Sequence, residues 1–150
     1  MAIFEQSIRI KAAADVVERC ITEQPLMAQW LNPFLSCESI GPWAVDVGSR
    51  FRFRLNVPIL RPALNCVVKE RGPGLVEWEF SGFFVGTDRW ECFTHEDETL
   101  LVNRFCFEIP NTLVQMGFNL FAASLTRQDM MAQLQRLKTV AEQFSNSELL

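Results

Sequence analysis

The sequence predicts an α+β fold in which an antiparallel sheet packs against a long C-terminal helix. Three observations favour this class. The first residues alternate between apolar and polar side chains, the middle of the chain is a series of short segments separated by turn residues, and the last third carries an apolar stripe at helical spacing.

The chain opens with a predicted strand and two short helices. Residues 3–10 place Phe4, Gln6, Ile8 and Ile10 on one face, which is the period of two expected of a strand. The segment "AAADVVERCITEQPLMAQWLNPF" then changes to helical spacing. Its first proline divides it into two helices and its second proline ends the second one.

The middle of the chain is predicted to be an antiparallel meander. Turn residues at "RGPG", "SGFFVG" and "HEDE" separate its segments, and "VPILRP", with two prolines, indicates a bend or an edge. The predicted strands cover residues 35–41, 49–57, 64–70, 75–81, 88–93 and 99–108.

The last third of the chain predicts a helix with one apolar face. The face comprises Met130, Leu134, Leu137, Ala141 and Phe144, and it can be traced back through Ala123, Leu120, Met116 and Leu113. Gly117 leaves two alternatives open, one continuous helix or a loop followed by a helix from about Thr126. Residues 144–150 are expected to fray.

Composition limits the class of function. A chain of 150 residues fits a single domain over residues 1–150, and a net charge of -4 gives no global field for a polyanion, so a nucleic-acid partner is not expected. The five cysteines form no CxxC pair, and the N-terminus has no targeting pattern. We therefore expect reduced, mostly buried thiols in a cytoplasmic protein without a transmembrane segment, although transient membrane contact stays open.

The order of these elements resembles the SRPBCC superfamily of START-like and polyketide cyclase/dehydrase-like domains. The segments that carry the resemblance are "FEQSIRIKAAADVVERCI", "MAQWLNPF", "VGSRFRFR", "ERGPGLVEWEF", "VGTDRWECFTHEDETLLVNRFCFE" and "LQRLKTVAEQF". The resemblance implies a helix-grip fold, in which a curved antiparallel sheet wraps around the long helix and leaves an apolar cavity between them. Its members include lipid carriers, cyclases, hydrolases and co-chaperones, so the fold alone does not choose the function.

Two interpretations apply to the inward-facing rings: a filled core, or the wall of a cavity. A cavity with a function should also hold a few convergent polar groups, and the strand alternation offers Asp88 and Asn103, with Thr99. The predicted ligand-binding residues are Trp30, Phe51, Phe53, Trp78, Phe80, Asp88, Trp90, Asn103, Phe105, Met116 and Leu120.

Catalytic chemistry has one candidate, Asp88. It occupies a position where related domains often carry an inward histidine, so an inward carboxyl with a raised pKa is one alternative, and a solvated carboxyl at the mouth of the strand is the other. The single histidine, His95, lies in an acidic turn without a nucleophile or a metal ligand beside it. No metal and no cofactor are expected.

The stretch "RFRFRL" separates charge from apolar surface, because a strand sends Arg50, Arg52 and Arg54 to one face and the rings to the other. This row, which Arg61 and Lys69 could extend, could bind phosphates, headgroups or an acidic partner, or it could pair with Glu77 and Glu79 across the sheet.

Three functions follow from the sequence. The first is binding of a hydrophobic small molecule, lipid- or polyketide-like, in a cavity between the sheet and the C-terminal helix. The second is a polyketide cyclase or dehydratase that uses the same cavity with Asp88 as acid or base. The third is a protein-interaction or co-chaperone-like module that uses the arginine row.

Overall fold

The computed structural model describes residues 2–56, 63–108 and 118–148, without the side chains of residues 118–126 and 148. The elements are β1 (Ala2–Ile10), α1 (Ala14–Thr22), α2 (Gln24–Trp30), β2 (Leu35–Ser39), β3 (Arg50–Leu55), β4 (Ala63–Gly72), β5 (Leu75–Gly82), β6 (Val85–His95), β7 (Glu98–Glu108) and α3 (Phe118–Glu148).

The seven strands form one curled antiparallel sheet, as predicted. Their order is β1-β7-β6-β5-β4-β3-β2, so the meander from β2 to β7 runs across the sheet and β1 closes it beside β7. The helices lie against the concave face, which gives the helix-grip α+β fold. In this arrangement the inward rings of the sheet face the apolar stripe of α3.

The hairpin between β5 and β6 is tighter than "SGFFVG" suggests. The sixth strand was expected over residues 88–93 but begins at Val85, and only Phe83 and Phe84 connect it to β5. Gly82, with φ +148°, lies against the Ala63 carbonyl of β4, and Gly86 lies against the Cys106 carbonyl of β7, so a Cβ at either position would collide with the neighbouring backbone. Both glycines therefore let the strands approach closely.

The C-terminal helix is continuous from Phe118 to Glu148, so a start near Thr126 is wrong. Its predicted stripe is confirmed at the described positions, where Met130, Leu134, Leu137 and Ala141 are buried. Leu113, Met116 and Gly117 lie outside the described residues, and the side chains of Leu120 and Ala123 are not described.

Fraying from residue 144 is also wrong, at least as far as Glu148. Phe144 packs against the core, and the Arg19 guanidinium lies 4.7 Å from the centre of its ring. This contact with α1 gives the last turns of α3 a tertiary anchor that the sequence did not reveal.

The two short helices close one end of the core. Val17, Cys20 and Ile21 are fully or almost fully buried on α1, as their spacing predicts. Trp30 at the end of α2 is buried as well, and its indole N–H donates to the Cys20 carbonyl at 2.8 Å. The hydrogen bond fixes the ring that α2 contributes to the interior.

The arginine row lies on the outer face, as predicted, but its partners differ from those expected. Arg52 and Arg54 face Glu38 of β2, at 3.9 and 2.9 Å. Glu77 and Glu79 are out of reach because they lie on β5 and the whole of β4 separates it from β3. Binding of a partner by this row stays a prediction.

The expected cross-strand pairing is confirmed for Lys69, which pairs with Glu79 of β5 at 3.1 Å. Glu77 lies 3.7 Å from Arg89 of β6, and Arg61 lies outside the described residues. These groups are partly exposed, so each pair adds little to stability.

Two further features bear on the expectations from composition. Cys20 and Cys66 are buried, whereas Cys37, Cys92 and Cys106 are half-buried. None of the helices in the described part of the chain combines the length and hydropathy needed to cross a membrane.

Candidate ligand-binding cavity

A cavity of about 530 Å³ lies between the concave face of the sheet, the α2–β2 connection and α3. Rings and aliphatic side chains form most of its wall. Seven of the predicted site residues line it: Trp30, Phe53, Trp78, Asp88, Trp90, Asn103 and Phe105.

Phe51 and Phe80 lie outside this lining and fill the core. Phe51 is fully buried, with its ring centre 5.3 Å from that of Trp78, and Phe80 stacks on Phe105 at 5.1 Å. The filled-core interpretation therefore describes these two rings. Met116 lies outside the described residues, and the side chain of Leu120 is not described.

Three tryptophans form a continuous part of the wall. The ring centres of Trp30 and Trp90 are 5.4 Å apart, and those of Trp78 and Trp90 are 6.4 Å apart. Since the three rings come from α2, β5 and β6, tertiary packing holds them in place. Such a wall offers flat apolar surface to a ligand.

A hydrogen-bonded polar pair interrupts the apolar wall. The Asn103 side-chain amide on β7 donates to the Asp88 carboxyl on β6 at 2.7 Å and to the Arg89 carbonyl at 3.1 Å. Asn103 is 2% exposed, which agrees with its prediction as a buried polar group. Thr99 is buried too, but its hydroxyl donates to the Ala12 carbonyl at 2.7 Å, away from the cavity lining.

Asp88 lines the cavity and is half-buried, so part of its surface stays accessible. Its neighbours across the sheet are Trp78 on β5 and Phe105 on β7, both of which also line the cavity. Burial among these groups raises the pKa of Asp88 from 3.8 to about 7, although the hydrogen bond from Asn103 and the nearby Trp90 indole N–H oppose the rise. Near neutral pH this carboxyl can therefore both accept and donate a proton.

The indole N–H of Trp90 has an unusual environment. The group is buried and has no acceptor in hydrogen-bonding geometry among the described residues, although it lies close enough to Asp88 to lower the pKa of that carboxyl. A buried donor without an acceptor carries a free-energy cost, which a ligand acceptor that reaches this N–H would remove.

A second polar cluster on the cavity wall was missed by the sequence analysis. The Asn32 side-chain amide donates to the Asp129 carboxyl at 2.5 Å, and the Asn32 backbone N–H donates to the Gln133 side-chain oxygen at 3.0 Å. Burial raises the pKa of Asp129, against the opposing effects of Asn32 and Arg136. The available signal was that Asp129 and Gln133 flank the apolar stripe of α3, four residues apart.

The remaining wall is apolar, and its members were not among the predicted ligand-binding residues, although Met130 was predicted on the apolar face of the C-terminal helix. They are Leu31, Phe34, Leu35, Leu55, Leu64, Phe83, Phe84 and Met130. Phe34 is 63% exposed, so it lies where the cavity meets the protein surface.

A second, smaller depression of about 240 Å³ lies at the β6–β7 hairpin. Its wall includes Arg9, Phe93 and His95. We take the larger cavity as the candidate site because it combines ring-rich walls with convergent polar groups.

The sequence over residues 1–142 matches the family described as polyketide cyclase / dehydrase and lipid transport. The chain belongs to this family. The membership confirms the resemblance to the SRPBCC superfamily, and the family is associated with hydrophobic small molecules. Among curated proteins no match is found.

Solved structures share the fold of this polyketide cyclase/dehydrase family member at low sequence identity. Protein TTHA0849 from Thermus thermophilus superposes with a TM-score of 0.78 at 13% identity, covering 96% of this chain and 99% of that chain. The Zhui aromatase/cyclase from Streptomyces sp. R1128 gives a TM-score of 0.71 at 14% identity, with coverage of 94% and 93%. DynU16, a protein in the dynemicin biosynthetic locus, gives 0.67 at 16% identity, covering 95% of this chain and 48% of that chain.

Proposed function

We propose that this protein, as a single domain over residues 1–150, binds a hydrophobic small molecule, lipid- or polyketide-like, in the cavity between the sheet and α3. The observation that carries the proposal is a ring-lined cavity of about 530 Å³ with the Asp88–Asn103 pair in its wall. Cavities of this size and character are typical of small-molecule sites.

The apolar wall and the polar pair of this site contribute differently to ligand binding. Apolar burial supplies the affinity, at about 25 cal/mol per Å² before the costs of immobilising the ligand. The polar pair contributes orientation, because a buried carboxyl and a buried amide discriminate against a ligand that leaves them unpaired.

Native mass spectrometry of the purified protein and titration with Nile red, a neutral apolar dye, test this proposal. We expect a copurified small molecule or a saturable rise in dye fluorescence. Leu55→Trp, which adds bulk to the cavity wall, should weaken dye binding about tenfold or more.

Ile40→Trp is the matched control, because Ile40 is 44% exposed and lies outside the cavity lining. It adds the same ring and should leave dye binding unchanged. Equal affinity in the wild type and in Leu55→Trp would contradict binding in this cavity.

The position of Asp88 favours one second candidate, an enzyme of the cyclase or dehydratase type. A carboxyl in a ring-lined cavity whose pKa burial raises to about 7 is suited to move protons at neutral pH. In this function Asp88 takes or gives the proton, while the Asn103 amide keeps it in place.

To test this function, the copurified molecule is added back to the purified protein, and mass spectrometry follows the loss of water from that molecule. Asp88→Asn should keep binding and abolish turnover, because an amide preserves the shape but cannot shuttle a proton. Asp97→Asn, in the exposed β6–β7 turn, is the control for the lost charge. Turnover that survives Asp88→Asn would contradict a catalytic role for this residue.

A further inference from the structure

We propose that the cavity selects neutral, hydroxyl-bearing ligands and rejects ligands that carry a carboxylate, with Asp88 and the Trp90 indole N–H as the groups that bind the hydroxyl. This inference rests on the proposed function, since it names the class of molecule that the cavity accepts.

The first argument is the sign of charge on the wall. The charged residue types in its described lining are Asp88 and Asp129, and no Lys, Arg or His belongs to that lining. Arg136, outside this lining, donates to the Trp30 carbonyl at 2.9 Å and lies 4.0 Å from Asp129, and its buried Nη2 has no acceptor in hydrogen-bonding geometry among the described residues. A ligand carboxylate would face two carboxyl groups in a wall whose described residues include no cation.

The second argument is the pattern of donors and acceptors. Asp88 receives one hydrogen bond from the described part of the protein, that of Asn103, which engages its Oδ1 atom. Trp90 offers a buried N–H without an acceptor beside the same carboxyl. A ligand hydroxyl that reaches both groups satisfies them, because its oxygen accepts from the indole while its hydrogen is donated to the ionised Asp88. A ligand carboxylate has no hydrogen to donate, so it can pair with Asp88 only in those molecules in which Asp88 is protonated.

Three probes with one skeleton test the inference: naphthalene, naphthol and naphthoate, with the polar group at the same ring position. Each competes with Nile red at neutral pH. We expect naphthol to bind tightest and naphthoate about tenfold or more weaker than naphthol. Equal displacement by naphthol and naphthoate would overturn the inference while leaving the proposed function intact.

Asp88→Asn tests whether the Asp88 carboxyl causes the preference for naphthol over naphthoate. This substitution removes the negative charge and keeps the shape, so naphthoate should gain several-fold in affinity relative to naphthol. Asp97→Asn makes the same change of charge on the surface and should leave the ratio as in the wild type. An unchanged ratio in Asp88→Asn would overturn the assignment of the selection to this carboxyl.

Trp90→Phe is an independent variant that removes the N–H and retains a ring. The advantage of naphthol over naphthalene should shrink several-fold, whereas an undiminished advantage would overturn the role of the indole. If none of the three probes and no Nile red binds to the folded wild type, the proposed function itself fails, and this inference with it.

Discussion

The Asn103 side-chain amide and the Asp88 carboxyl form a hydrogen bond of 2.7 Å between adjacent strands in the wall of the cavity. The contact joins a nearly fully buried amide to a carboxyl surrounded by rings. It holds the acidic group in one orientation, and the first two predictions below concern its consequences.

Asp88 should make folding depend on pH between about pH 4 and about pH 7. Burial raises the pKa of this carboxyl from 3.8 to about 7, with Glu77 adding to the rise and Asn103 and Trp90 opposing it. As the pH increases through this window the unfolded chain loses its proton first, so the free energy of unfolding decreases, and the change is complete above about pH 7.

Asp88→Asn removes this dependence. Near pH 4 the free energy of unfolding of the variant should be equal to that of the wild type or smaller. Between pH 4 and about pH 7 it should increase relative to that of the wild type by on the order of 2–4 kcal/mol. Urea unfolding at several pH values measures the difference, with Asp97→Asn as the control for surface charge. A difference that does not change between pH 4 and pH 7 would refute the assignment of a raised pKa to Asp88.

Asn103→Ala should destabilise the fold by about 1–3 kcal/mol, because it leaves the Asp88 carboxyl and the Arg89 carbonyl without their donor. Asn65→Ala provides a matched comparison, since Asn65 is exposed and accepts a hydrogen bond from Arg52 on the outer face. It should cost less than about 0.5 kcal/mol. Similar losses for the two variants in chemical unfolding would mean that burial of the Asn103 pair is unimportant.

Gly86→Ala should destabilise the sheet by about 2–4 kcal/mol, because the added methyl group would collide with the Cys106 carbonyl on β7. Gly72→Ala is the control, as the same methyl group there would meet no atom within 4 Å. Thermal unfolding of both variants makes the comparison. Equal midpoints would show that β6 and β7 can separate at Gly86 without cost.

Cys20 should react slowly with thiol reagents in the folded protein. Burial is the main cause that raises its pKa from 9.0 to about 11, so the reactive thiolate should be about a hundredfold rarer than in the unfolded chain at mildly alkaline pH. Labelling followed by peptide mass spectrometry gives the rate at this residue. Equal rates in the folded protein and in guanidinium chloride would contradict the prediction.

The course of the strands could be predicted because alternation is a local property. The residues of "RFRFRL" point to opposite faces in any strand, and both the buried Phe51 and Phe53 and the outward Arg52 follow from that alone. The helical stripe through Leu134 and Leu137 is local in the same sense.

The ends of elements were less well predicted, because tertiary contacts decide them. Phe144, near the end of α3, packs against the core and contacts Arg19, and Gly86, at the start of β6, lies closely against the Cys106 carbonyl of β7. Neither effect is visible in the residues next to each end.

By itself, then, the sequence determined the family, the antiparallel sheet, the long helix and the inward direction of Asn103, since each depends on spacing along the chain. It left Asp88 open between an inward and a solvated position. The tertiary structure decided which rings line a cavity and which fill the core. It also brought Asn32 to Asp129, across 97 positions of sequence, and Arg54 to Glu38. These pairings depend on how strands and helices are arranged in space. A period of two or of 3.6 residues carries no information about the distance in space between residues that are far apart in sequence.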